Sequence, residues 1–158
     1  MKKLIFILFF VPFNFSAQDV QNRILLIKEM YKETNRLMDR GNTICKKIKI
    51  EKFNDYDDIY AEYCDLDNGY SKITIEIYGP SLYDSYEYYF RYNNLYFSYI
   101  KISAEIEGIY KYRQYFNTYG ELIRNLEDDG SGNKKIKSAA NLNMLHFVQD
   151  ILLNDKTK

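Results

Sequence analysis

The residues with most capacity for chemistry are a crowd of phenols, two sulfurs and one imidazole. The chain has 158 residues with 17 tyrosines, no tryptophan, two cysteines and one histidine. Tyr89, Arg91, Tyr96, Arg113 and Tyr115 mix rings with guanidinium groups, the combination that recognition surfaces use, because a phenol offers rigid amphipathic contact area at low entropic cost. The other reading of the same residues is cross-strand aromatic packing on a half-exposed sheet, with each hydroxyl left in water. Cys45 and Cys64 can form one bridge or remain two buried thiols. His146 stands beside Leu142, Leu145 and Val148, where a structural role outweighs a catalytic one, and no nucleophile–base–acid set assembles around it.

Other chemistries lack their parts. One histidine and two cysteines are too few for a zinc site unless carboxylates complete it. Asp65, Asp67, Gly69 and Glu76 resemble a calcium loop but lack the ligand at its fifth position and the glycine at its sixth. Asp128-Asp129-Gly130 reads as a solvated turn. Acidic pairs such as Asp57/Asp58 suit glycoside hydrolysis only when held across a cleft. No glycine-rich phosphate loop is present. The reading calls for no metal and no cofactor, and leans away from an enzyme.

These residues need a scaffold, and hydrophobic periodicity supplies one. Met1-Lys2-Lys3, an apolar run from Leu4 to Phe15 and the exit Ser16-Ala17-Gln18 read as a cleavable secretory signal over residues 1–17. The run is too short for a helix spanning about 30 Å of hydrocarbon, although an uncleaved anchor is the alternative. Phe15 blurs the cleavage position. No cysteine follows the run to carry a lipid, so the expectation is a released, periplasmic or secreted protein with no membrane span. That compartment is oxidising and lets Cys45 and Cys64 pair. Loss of Lys2 and Lys3 takes the net charge from +0 to −2, which gives no electrostatic footprint for nucleic acid.

Residues 18–158 form one domain. Apolar positions spaced by three and four predict a first helix over Asp19–Arg40, with Asp19 as cap and Gly41 as left-handed stop. From Thr43 to Asp128 the period is two. It predicts seven strands: Ile44–Glu51, Asp58–Asp65, Lys72–Tyr78, Ser85–Arg91, Leu95–Ile102, Ile106–Asn117 and Glu121–Glu127. Short polar turns between them force antiparallel neighbours. A turn at Asn54-Asp55 places Cys45 opposite Cys64. Residues 127–135 read as an exposed linker, and a second helix is predicted over Ser138–Leu153. The fold class is therefore α+β: an antiparallel meander sheet of about six to seven strands flanked by an N-terminal and a C-terminal helix. Alternation separates Tyr86, Tyr88 and Phe90 from Tyr89 and Arg91. It also sets Leu95, Phe97 and Tyr99 against Tyr96, Ser98 and Ile100.

An internal repeat links Tyr89-Phe90, a polar turn and Leu95 with Tyr115-Phe116, a polar turn and Leu122, as if one hairpin unit were used twice. The segment Glu87-Tyr88-Tyr89-Phe90 with Leu95-Tyr96-Phe97, and Tyr115-Phe116 with Gly120-Glu121-Leu122-Ile123-Arg124, resembles a group of small uncharacterised secreted, tyrosine-rich proteins common in Bacteroidota. The likeness covers residues 86–124; the cysteine pair and the second helix are not part of it. It implies an envelope protein with a helix-packed sheet and implies no activity. The functional expectation is an exported, non-catalytic module that binds a protein partner through an aromatic sheet face. A carrier of a small apolar ligand in a sheet–helix cavity and an enzyme of unrecognised type are the alternatives.

Overall fold

The computed structural model describes residues 15–41, 43–50, 58–79, 82–104, 108–131, 134–137, 139–140 and 142–154. The apolar run before Phe15 and the turn expected at Asn54-Asp55 lie outside the described residues. Helix α1 runs Phe15–Asp39, followed by strands β1 Ile44–Ile50, β2 Asp58–Asp65, β3 Tyr70–Gly79, β4 Leu82–Arg91, β5 Asn94–Ala104, β6 Gly108–Phe116, β7 Leu122–Asp128 and β8 Lys134–Lys137, and then by helix α2 Asn143–Asn154. All eight strands form one sheet in chain order, each pair antiparallel. The α+β meander is as expected, with one strand more than the sequence suggested.

Each helix lies on its own face of the sheet. Ile24, Ile27, Met30 and Leu37 of α1 are buried against Tyr70, Tyr89, Tyr96, Phe97 and Tyr115. Leu145 and Val148 of α2 are buried on the opposite face against Ile59, Ile73, Ile75, Ile77, Ile100 and Tyr88. Both sheet faces thus carry a helix, and α1 covers only part of its side, since Tyr60 and Tyr78 there stay exposed. Each such aliphatic side chain, fully withdrawn from water, stabilises the sandwich by about 1.5–3 kcal/mol.

Four local expectations change. Asp19 lies inside α1, which starts at Phe15; Phe-Ser-Ala-Gln offers no breaker, so the helix continues upstream of the supposed cap. At the other end Gly41 does take a left-handed φ of 75°. The supposed linker, residues 127–135, overlaps the end of β7 and the start of β8, which pairs with β7 from Asn125↔Lys137 to Asp128↔Lys134. The only apolar residue of β8, Ile136, is 73% exposed, so backbone pairing makes this strand and its lysines discourage further edge pairing. Helix α2 begins at Asn143, because the Asn125 amide donates to the Ala139 carbonyl at 2.6 Å and ties that approach to the sheet.

The fourth change is a pair of register shifts. One falls between Tyr89 and Phe90, the other between Tyr115 and Phe116, and beyond each shift the phenylalanine faces a leucine, Phe90↔Leu95 and Phe116↔Leu122. The internal repeat is this bulged hairpin. Each bulge adds one residue to the returning strand, Tyr96 in β5 and Ile123 in β7, and both pack toward α1. Tyr96 therefore joins Phe97 beneath the helix, whereas strict alternation had put them on opposite faces. Its hydroxyl lies 2.7 Å from Thr34 Oγ1 and donates to the Met30 carbonyl at 3.2 Å. The first hairpin turns through Tyr92 and Asn93, both with positive φ (48° and 64°), which suits the strand twist. Tyr92 rests on Gly69, where a Cβ would collide with its ring.

Candidate functional site

Register turns the α1-facing side of the sheet into cross-strand rows. The innermost row is Cys45–Cys64–Lys72–Tyr89–Phe97–Tyr115–Arg124. Cys45 and Cys64 are bridged, with Cα atoms 4.1 Å apart. Glu62 lies close enough to complete a three-ligand cluster with them, but the bridge occupies both sulfurs and leaves no thiolate for a metal. Lys72 pairs with Glu87 at 2.8 Å and covers the Tyr89 ring at 4.9 Å. Tyr89 also donates a hydrogen bond to Glu87.

The five residues singled out from the sequence part company here. Tyr89, Tyr96 and Tyr115 are buried beneath α1 at 0%, 2% and 5% exposure, so they are packing residues and not an open docking face. Burial pushes the Tyr89, Tyr96 and Tyr115 phenols up; at Tyr89 the neighbouring Glu87 adds to the effect, and at Tyr115 the cations Arg113 and Arg124 oppose it. Arg91 sits at the β4–β5 hairpin near the rings of Tyr70 and Tyr92, at 5.1 and 5.4 Å. Arg113 is elsewhere, over the Tyr99 ring at 5.6 Å. Tyr89 and Tyr96 meet ring against ring in the core at 6.3 Å; of the five, Arg113 and Tyr115 alone share an open feature.

That feature is a cleft of about 380 Å³ between α1 and β5–β6. Ile27, Tyr31 and Phe97 give it apolar walls, and Lys28, Tyr99, Arg113 and Tyr115 bring polar tips. Tyr31 holds the walls in place through ring contacts with Tyr89 and Phe97 at 5.1 and 5.2 Å. Sequence reasoning missed Lys28 because it lies just off the apolar stripe of α1. It separated Tyr99 and Phe97 from Tyr96 because a bulge leaves no mark in simple alternation.

Away from α1 none of the described residues covers the same sheet side. Tyr60, Tyr78 and Tyr83 form a row of touching rings, with centroids 5.8 and 5.2 Å apart. Tyr60 and Tyr78 remain 40% and 41% exposed. Lys49 caps one end over Tyr60 at 5.5 Å and Lys101 the other over Tyr83 at 5.3 Å. Tyr83 donates to Glu76 at 2.9 Å; burial, reinforced by that carboxylate, pushes its phenol up to about 12. A groove of about 620 Å³ runs beside the row over β1–β3, edged by the ion pairs Lys47–Glu62 and Lys49–Asp58 at 3.2 and 2.6 Å. Carboxylates Glu62, Glu76 and Glu87 gather over β2–β4, cations Lys101, Lys111 and Arg113 over β5–β6.

His146 is exposed on α2, on the other side of the sheet from both features. Among the described residues no helix is long and apolar enough to cross a membrane. No protein-family model, no curated protein and no solved structure matches the chain.

Proposed function

We propose that this is an exported, non-catalytic binding protein whose protein partner docks on the uncovered part of the α1-facing sheet. The observation that carries the reading is the row Tyr60–Tyr78–Tyr83, ring against ring, its first two rings exposed, and capped by Lys49 and Lys101. Tyrosine is enriched in interface hot spots because its ring buries area while its hydroxyl keeps a polar contact. Over β2–β4 the carboxylates Asp58, Glu62 and Glu87 are paired with lysines, whereas Lys101, Lys111 and Arg113 gather over β5–β6, so the basic end favours a partner with carboxylates opposite it and steers its approach. The Cys45–Cys64 bridge suits an oxidising compartment, which agrees with the signal-like start and with the envelope setting implied by the resemblance of residues 86–124.

The test compares the protein with a Tyr60→Ser/Tyr78→Ser variant, since both rings are part-exposed and their loss leaves the core intact. Each is tagged, secreted and cross-linked in the native envelope. A stoichiometric protein recovered with the parent and lost with the variant supports the reading. Equal recovery by both, or no protein at all, overturns it.

A further inference from the structure

The cleft beneath α1 is a second site with a different ligand chemistry. We propose that it binds a small amphipathic carboxylate, an aryl or alkyl acid whose apolar part lies against Ile27, Tyr31 and Phe97 and whose carboxylate meets Arg113, with Lys28 as the second cation. The volume, about 380 Å³, falls in the range of small-molecule pockets, which are mainly apolar with a few polar groups that fix orientation.

Charge decides the head group. Arg113 lies between Tyr99 and Leu126 in its cross-strand row, so neither neighbour offers a carboxylate. Among the described residues neither Arg113 nor Lys28 has a carboxylate partner, whereas Lys32, Arg36, Lys47, Lys49, Lys72 and Lys137 all do. One row further out Lys101 stands directly opposite Lys111, a like-charge pairing that costs sheet stability. Lys111 has Asp128 as its other cross-strand neighbour; Arg113 has no such relief. A guanidinium set against Tyr99 beside an apolar wall is an anion receptor, since it is weakly hydrated and presents a planar fork to a carboxylate. The aromatic walls explain why the space persists: rigid rings locked to one another by Tyr31–Tyr89 and Phe97–Tyr115 contacts cannot collapse into it as aliphatic chains would.

Dodecanoate is a suitable probe and dodecanol its neutral comparator, titrated calorimetrically into the full chain with its disulfide intact. The parent is expected to bind dodecanoate one-to-one and dodecanol at least about tenfold more weakly, the scale of a hydrogen bond to a charged group. Arg113→Met keeps the packing stem and removes the charge; it should weaken dodecanoate about tenfold or more and leave dodecanol unchanged. Lys28→Met, on the exposed side of the helix, should weaken it less. Unchanged circular dichroism and melting in both variants show that the fold is intact. The proposal is overturned if dodecanoate shows no saturable binding, if dodecanol binds as tightly, or if Arg113→Met binds dodecanoate like the parent.

Discussion

The two sides of this sheet solve one problem with different materials. Under α2 the sheet presents isoleucines, Ile59, Ile73, Ile75, Ile77 and Ile100, with Tyr86, Tyr88 and Phe90 of β4 set between those of β3 and β5. Under α1 it presents rings, Tyr70, Tyr89, Tyr96, Phe97 and Tyr115, joined by Tyr31 of the helix. Branched aliphatics interlock at close-packed density wherever period two places them. Rings need geometry: Tyr89 and Phe97 tilt at 5.6 Å, Phe97 and Tyr115 at 5.2 Å, and Tyr96 needs partners for its hydroxyl. The aliphatic side is suited to stability alone, whereas the aromatic side leaves shaped space at its margin and polar tips around it. Both candidate sites lie on the aromatic side for this reason.

Truncation is the strongest way to break the contrast. Phe97→Ala should destabilise the fold by about 3–5 kcal/mol and Ile75→Ala by about 2–5 kcal/mol, read by denaturant titration. The aromatic layer is less well packed than described if Phe97→Ala costs under about 1 kcal/mol. Next in size is the bridge, which closes a loop of sequence separation 19. Replacing both Cys45 and Cys64 by alanine should cost about 3 kcal/mol, and an unchanged transition midpoint would show that it adds nothing to the sheet edge. A smaller cut sharpens the comparison: Tyr96→Phe keeps the ring but removes the hydroxyl between Thr34 and Met30. It should cost about 1 kcal/mol, while the isosteric-scale trim Ile75→Val on the other side costs a similar 0.5–1.5, about a methylene.

Alkali gives the subtlest distinction. Tyr88, Tyr89 and Tyr96 are pushed up from the ordinary 10.0, chiefly by burial. The folded state then holds these protons more tightly than the unfolded state. Their contribution to stability is complete below pH 10.0 and is lost as pH rises toward the folded values. Phenolate absorbance should therefore rise in two phases, the second coinciding with loss of the far-ultraviolet dichroism. Tyr83, held near 12, belongs between them. A single gradual phase with dichroism unchanged would show that the aromatic side is wet.

Much of the architecture was legible because it rests on local pattern. Seven strands and both helices follow from periods of 2 and 3.6, and the facing positions of Cys45 and Cys64 from their symmetric spacing about one turn. What escaped was set by pairing or docking. β8 contains one exposed apolar residue, so no alternation marks it. Of the five residues chosen for binding, three are core, because α1 covers them and nothing in a strand's own sequence says which face receives a helix. Tyr99 becomes a neighbour of Arg113 through strand pairing, and Lys28 and Tyr31 join them only when helix and sheet meet.

By itself, then, the sequence determined the class of fold and the existence of an aromatic layer and placed the two cysteines opposite each other without deciding whether they bridge, since each depends on residues near in sequence or joined by short turns. The tertiary structure alone decided which tyrosines are buried and which are free. That choice depends on two one-residue bulges, which add Tyr96 and Ile123 to the α1 side, and on where a 25-residue helix comes to rest across a wider sheet. Covering the hairpin end turned the expected binding face into core, and left the Tyr60–Tyr78–Tyr83 row and the Arg113 cleft as the accessible chemistry.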